Sequence, residues 1–304
     1  MIHVLVLVSG NEQKPLSLGA IAHAETLLEN NGILCDEPHW LHPHKAAELH
    51  LSAPMGEGLW RLLRDELGAD LIDVFQVPQH NRRKKLLLAD MDATIVEGET
   101  LDDLAAMVGL KDKIAAITAR AMRGELDFRA ALTERVRMLS GLPVTALMDT
   151  LSAMKINQGA ETVVRVMRAH GAQCYLVSGG FTYFTGAIAE RCGFNGHHGN
   201  VLGIAGEALS GDILPPILDK DAKLAYLRQY RDALGLGADD TAAIGDGAND
   251  IPMLEEAALG VGFYPKPLVK EKIANCIIHT DLTSLLYVQG YTWQDIEKKS
   301  SKAF

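Results

Sequence analysis

The chain of 304 residues is 48% hydrophobic and carries 29 Lys and Arg against 39 Asp and Glu, a net charge of −10 that disfavours general binding to nucleic acid or anionic membranes. That length allows one large domain or two unequal ones with a sizeable core, and no apolar run approaches the ~18 residues of a membrane span. The four cysteines, Cys35, Cys174, Cys192 and Cys276, are scattered without a CxxC pair, so core thiols in a reducing cytoplasm are expected rather than disulfides.

The N-terminal "HVLVLVS" reads as a strand and is too short for a signal-peptide apolar region with its cleavage site. "LGAIAHAETLLENNG" has helical spacing and ends at Gly32. A strand is expected around Ile33 to Trp40, another at "AAELHLS", an amphipathic helix at "GEGLWRLLRDELG" and a strand at "DLIDVFQVP". The order βαββαβ is a ferredoxin-like pattern. Trp60 is expected in the core of this unit. His39, His42, His44 and His50 lack ligand spacing, so they read as ordinary residues, as does the His197-His198 pair. "PQHNRRKK", Pro78 to Lys85, is the natural linker, and its four consecutive basic residues are expected to be solvated.

From Leu86 strands alternate with helices, at "KLLLADMD", "QCYLVSGG", "DTAAIGDG" and "ALGVGF". This predicts a doubly wound α/β domain with a parallel, Rossmann-like sheet, whose ligand site lies at the carboxyl ends of the strands. Between Gly98 and about Gln158 the chain is mostly helical and longer than a crossover needs, which suggests a helical cap inserted above the strand ends. Thr100 and Asp103 stand at capping-box spacing at its first helix. The expected division is residues 1–80 and 81–304, with the cap at about 98–158.

Three strand ends carry chemistry. The first presents Asp90 and Asp92, with Thr94 behind them, after an apolar approach; buried carboxylates need a partner or a metal. In an ideal strand the two aspartates share a face, although a turn lets them diverge. "GDGAND" supplies Asp246, Asn249 and Asp250 on a tight turn. Asp90 and Asp246 suit a hard divalent cation such as Mg²⁺, which takes few carboxylates and keeps waters or substrate oxygens. "VSGGF" places Ser178, Gly179 and Gly180 where a strand becomes a helix, so that backbone N–H groups can approach phosphate. Lys223, with Lys220 as competitor, can add positive charge. Together these parts describe phosphoryl transfer: one carboxylate attacks phosphorus, the other serves as acid and base, and cation, lysine and hydroxyl stabilise the equatorial charge.

The ordered set of Asp90-x-Asp92-x-Thr94, Ser178-Gly179, Lys223 and Gly245 to Asp250 resembles the haloacid-dehalogenase superfamily of phosphatases. "DMDATIVEGETLDDLA", "AMRGELDFRAALTERVRMLSGLP", "VSGGFTYF", "AIGDGANDIPML" and "DLTSLLYVQGY" are similar to the phosphoserine phosphatase family within it. The N-terminal unit resembles, by pattern, the ACT-like domain of two-domain bacterial members. The resemblance implies Asp90 as nucleophile and Asp92 as acid–base, with Mg²⁺ held by Asp90, the backbone carbonyl of Asp92, and Asp246. It implies phosphate contacts from Ser178, Gly179, Lys223 and Asn249. It assigns the substrate ammonium to Glu99, the substrate carboxylate to Arg135, and further substrate contacts to Met122 and Phe128. Ala93 departs from the family, which often has Ser there. The implied activity is cytoplasmic, Mg²⁺-dependent hydrolysis of O-phospho-L-serine, the closing step of serine biosynthesis. The alternatives are transfer of phosphate to another hydroxyl such as homoserine, or an amino-acid-binding regulatory protein. The expected partner is a small-molecule substrate, with no nucleic acid and no membrane; a homodimer is left open.

Overall fold

The computed structural model describes residues 3–10, 14–122, 125–218 and 220–298. The N-terminal unit runs β1 (His3–Ser9), α1 (Leu18–Asn30), β2 (His39–His42), β3 (Ala46–Leu51), α2 (Glu57–Gly68) and β4 (Ile72–Pro78). Its strands form one sheet in the order β2-β3-β1-β4, with every neighbouring pair antiparallel. This is the expected ferredoxin-like arrangement. The second strand begins later than expected, at His39, and the preceding stretch contributes only an isolated bridge between Cys35 and Leu51.

The uninterrupted apolar run of β1 has a physical reason. Leu5 and Leu7 face α1 and α2 in a core that also holds Leu28, Trp60 and Leu63. Val4, Val6 and Val8 face the other way, into the main core with Phe75, Leu285 and Leu286. Both faces are buried, so the polar alternation of a half-solvated antiparallel strand is absent.

The remainder runs β5 (Leu86–Ala89), α3 (Thr100–Met107), α4 (Lys111–Met122), α5 (Phe128–Arg137), α6 (Thr145–Ala153), α7 (Ala160–Ala169), β6 (Gln173–Phe181), α8 (Thr182–Cys192), β7 (Gly196–Ala205) and β8 (Ala208–Leu214). It closes with α9 (Lys220–Ala233), β9 (Thr241–Gly245), α10 (Ile251–Glu256), β10 (Leu259–Phe263), α11 (Pro267–Lys272), β11 (Cys276–Ile277), α12 (Ser284–Val288) and α13 (Trp293–Lys298). The second sheet has seven strands in the order β11-β10-β9-β5-β6-β7-β8. It is parallel except for the antiparallel β7–β8 pair. β5 lies at the centre between β9 and β6, which sets the three chemistry-bearing strand ends side by side.

Helices α3 to α6 form the insertion, whose base is pinned by a bridge between Val96 and Ile156. The β7–β8 hairpin was not legible in the sequence. It props the insertion: Gly141 donates to the Leu209 carbonyl and Leu209 to the Leu142 carbonyl.

The basic stretch before β5 is solvated at Arg83 and Lys85, as expected, but its side chains also find long-range partners. Arg82 pairs with Glu48 at 2.7 Å and donates to the carbonyls of Val288 and Tyr287. Arg83 pairs with Asp295 and lies 4.3 Å over the Tyr291 ring. Lys85 pairs with Asp240. These partners come from distant chain positions, so local composition conceals them.

A buried carboxylate completes the junction. Asp73 on β4 accepts hydrogen bonds from the backbone N–H groups of Ile278, His279 and Thr280, and from the Thr280 hydroxyl at 2.6 Å. Gly10 passes so close that an added Cβ would stand 1.9 Å from the His279 carbonyl oxygen. Asp73→Ala strands those donors, and we expect it to cost at least about 2 kcal/mol of stability. Urea unfolding would measure the loss, and hydrogen exchange should accelerate first at Ile278 to Thr280.

Candidate active site

The chain after β5 turns sharply. The amides of Thr94, Ile95 and Val96 all donate to the Met91 carbonyl, and Ala93 adopts a left-handed φ of 52°. This turn separates the two aspartates. Asp90 stays in line with the strand, its amide donating to the Ile244 carbonyl of β9. Asp92 swings toward the insertion.

Asp90 is buried, and its Oδ1 accepts from the Met91 amide and lies 2.6 Å from the Lys223 ammonium. Lys223 also donates to Asp250 at 2.5 Å. Asp250 is fully buried and accepts the Gly247 amide on its other oxygen. Lys223 sits inside the first turn of α9, rather than before that helix, and is itself buried. The side chains of Lys220, Met122 and Phe128 lie outside the described residues.

Carboxylate oxygens of Asp90, Asp246 and Asp250 lie within 4.8 Å of one another, and no histidine joins a comparable metal-ligating group among the described residues. Burial, then the Asp250 carboxylate, push Asp90 well up from the ordinary carboxylate range, against the pull of Lys223. Burial raises Asp246 also, opposed by Lys266. Burial would lower the Lys223 ammonium, but Asp250 and Asp90 outweigh it and hold it above the ordinary lysine range. Three carboxylates against one buried ammonium, with the half-exposed Lys266 shared between Asp246 and Glu99, leave the cluster short of positive charge. Hard oxygen donors with a charge deficit fit a divalent cation.

Asp92 accepts from the Thr100 amide at 2.9 Å and from the Thr100 hydroxyl on Oδ1, and from the Ser178 hydroxyl at 3.0 Å on Oδ2. Burial pushes its carboxyl up, while the Thr100 hydrogen bonds pull it down. Thr100 therefore does not form the expected capping box. Glu99 occupies the N-cap position of α3 without a side-chain cap bond, and Thr100 serves Asp92 instead.

Ser178, Gly179 and Gly180 lie within β6, and α8 starts only at Thr182. The Gly180 amide is donated to the Ser178 hydroxyl, so it does not point freely at a ligand as the strand-to-helix reading supposed. Gly180 is needed for space: an added Cβ would stand 2.9 Å from Asp92 Oδ2. Asn200, fully buried on β7, holds the Gly179 carbonyl at 2.8 Å. No sequence motif marked it.

These groups surround a cavity of about 200 Å³ that brings Asp90, Asp92, Glu99, Arg135, Ser178, Gly179, Asp246 and Asn249 together. Leu101 and Leu132 supply an apolar wall from the insertion. Arg135 reaches the cavity from α5; burial pulls its guanidinium down, while Asp102 and Glu99 oppose that shift. A larger cavity of about 760 Å³ is lined by the N-terminal unit together with residues such as Gln158 and Asp281, and by none of the strand-end carboxylates.

Over residues 87–255 the chain matches the family of haloacid dehalogenase-like hydrolases. The chain belongs to this family. It is 35% identical over 303 residues to a phosphoserine phosphatase of Streptomyces coelicolor, covering 98% of this chain and 73% of that one. A crystal structure of a family hydrolase from Salmonella enterica serovar Typhi, 29% identical, superposes with a TM-score of 0.82 over 94% of this chain and 98% of that one. A phospho-aspartyl intermediate analogue of phosphoserine phosphatase, 35% identical, superposes with a TM-score of 0.63 over 67% of this chain and 98% of that one.

Two charged side chains of this hydrolase's site receive no role from the sequence alone. Asp250 was visible in its motif but had no role; it shares Lys223 with Asp90. Lys266, in the loop after β10, lies 3.0 Å from Glu99 Oε1 and 3.1 Å from Asp246 Oδ2. Its lone "YPKP" context carries no chemical pattern. Lys223→Met leaves two buried carboxylates without their ammonium, a loss of roughly 3–5 kcal/mol. A lowered urea midpoint in metal-free buffer is the expected outcome, and an unchanged midpoint would contradict the charge balance described.

Proposed function

We propose that this hydrolase is a Mg²⁺-dependent phosphoserine phosphatase that releases L-serine and phosphate through an aspartyl-phosphate on Asp90. The observation that carries the reading is the pairing, in one small cavity, of phosphoryl-transfer groups with opposite charges suited to an amino acid, Glu99 and Arg135. The names of the relatives support the same substrate. We also assign residues 1–80 to an ACT-like domain and residues 81–304 to the catalytic domain, with a cytoplasmic setting. No helix among the described residues is long and apolar enough to cross a membrane.

Asp90 has one oxygen committed to the Met91 amide and Lys223, which leaves its other oxygen to attack phosphorus. Asp92, with its raised carboxyl, donates a proton to the leaving seryl oxygen and later takes one from the attacking water. Thr100 and Ser178 orient it for both roles. Lys223 compensates charge beside Asp90, and Gly179 and Asn249 line the cavity where the phosphoryl group would sit. Asp90, Asp246 and the backbone carbonyl of Asp92 would hold Mg²⁺, with Asp250 adjoining. When bound, the ion stabilises negative charge on the phosphoryl oxygens. Glu99 receives the substrate ammonium and Arg135 its carboxylate.

Phosphate release from a panel of phosphorylated metabolites tests the reading. O-phospho-L-serine should give the highest kcat/KM, chelation should abolish turnover, and Mg²⁺ should restore it. Asp90→Asn should remove both turnover and any acid-stable phosphoenzyme. A better phosphoester lacking an ammonium, or full activity without divalent metal, would count against it.

Arg135→Ala tests the amino-acid end. Losing one partner of a desolvated charge pair costs roughly 2–5 kcal/mol, so kcat/KM for phosphoserine should fall by roughly 30- to several-thousand-fold. An aryl phosphate, which has no carboxylate to lose, should change much less on the same preparation. Equal losses on both would make Arg135 structural or phosphate-binding.

A further inference from the structure

Lys266 contacts the site in three ways. Its amide donates to the Asp246 carbonyl at 2.9 Å, which fixes the loop over the end of β9. Its ammonium lies 3.1 Å from the Asp246 carboxylate and 3.0 Å from the Glu99 carboxylate. Asp246 is buried, whereas Lys266 and Glu99 are 51% and 48% exposed at the mouth of the cavity. One flexible ammonium thus bridges a group of the acidic cluster and the carboxylate that, on the phosphoserine reading, takes the substrate ammonium. An ion pair this exposed is weak and readily exchanged.

We propose that Lys266 is a specificity-determining residue, an internal ammonium that holds Glu99 until the ammonium of a ligand replaces it. The inference rests on the phosphoserine reading through Glu99. A phosphoester without an ammonium leaves the Glu99–Lys266 pair in place and so meets a neutralised carboxylate. A phosphoamino acid takes Glu99 for itself, and Lys266 keeps the Asp246 contact that it makes with either substrate. Lys266 thus tempers selectivity: a ligand ammonium must compete with it for Glu99, and it limits how strongly Glu99 repels phosphoesters that carry no ammonium.

The test compares wild type, Lys266→Met and Lys266→Arg, with kcat/KM measured for O-phospho-L-serine and for 4-nitrophenyl phosphate. Loss of the lysine charge acts on both phosphate dianions alike, so the ratio of the two values isolates the contest at Glu99. In Lys266→Met the ratio should rise about two- to fivefold, the span of a half-exposed ion pair. Lys266→Arg keeps a cation on Glu99 and should stay near the wild-type ratio. Calorimetry in the Asp90→Asn background supplies a readout without turnover: adding Lys266→Met should tighten phosphoserine relative to phenyl phosphate by the same factor. A ratio that is unchanged or falls in Lys266→Met overturns the proposal, as does an arginine variant that shifts it equally. The wild-type preference for phosphoserine over the aryl ester judges the substrate reading separately, because the shift on substitution is read whatever that preference is.

Discussion

The Lys223 ammonium, buried between Asp90 and Asp250, is the interaction on which the site depends. Taking carboxylates out of water is costly, and mutual attraction repays the cost only where geometry and further hydrogen bonds are good. Here those bonds come from the Met91 and Gly247 amides, both at carboxyl ends of central strands. The compensation is incomplete, because Asp246 adds a third carboxylate whose own ammonium, Lys266, is half-exposed and shared with Glu99. A cluster held together yet short of positive charge is suited to a divalent cation and, beside it, a phosphoryl group.

The tight turn around the Met91 carbonyl gives two chemically identical side chains different environments. Asp90 faces an ammonium and other carboxylates, whereas Asp92 faces hydroxyl and amide donors. The insertion contributes to this division, since Thr100 opens its first helix and binds Asp92. Arg135 and the apolar wall come from the same insertion. Strand-end residues and residues of the insertion line one cavity, and on the proposed reading the former carry the phosphoryl chemistry and the latter contact the rest of the substrate. Lys266 stands where the two meet.

The N-terminal sheet is held by burial of its second face and by polar groups with long-range partners. Asp73 caps a backbone turn of the larger unit, and Arg82 joins Glu48 to the end of α12. A carboxylate collecting several amides is stable only while that turn keeps its shape, so the junction orders both sides.

The α/β alternation from Leu86, the βαββαβ order before it and the strand-end groups Asp90, Asp92, Ser178 and Asp246 were legible in the sequence. Each is a local pattern: strand residues are apolar where they are buried, and polar groups cluster where the strand stops. Other features depend on contacts between distant residues. Arg82 to Lys85 look like a solvated run because Glu48, Asp295 and Asp240 are far away in the chain. Thr100 has the spacing of a cap, but a buried carboxylate eight residues earlier claims its donors. Asn200 and Lys266 sit in unremarkable stretches and gain their roles only when β7 and the loop after β10 reach the site. Which residues can carry charge, and where the chain becomes strand or helix, follow from the order of residues, because propensity and periodicity are local. Which charge meets which is set by the folded arrangement, because Coulomb and hydrogen-bond energies depend on distance and burial in space.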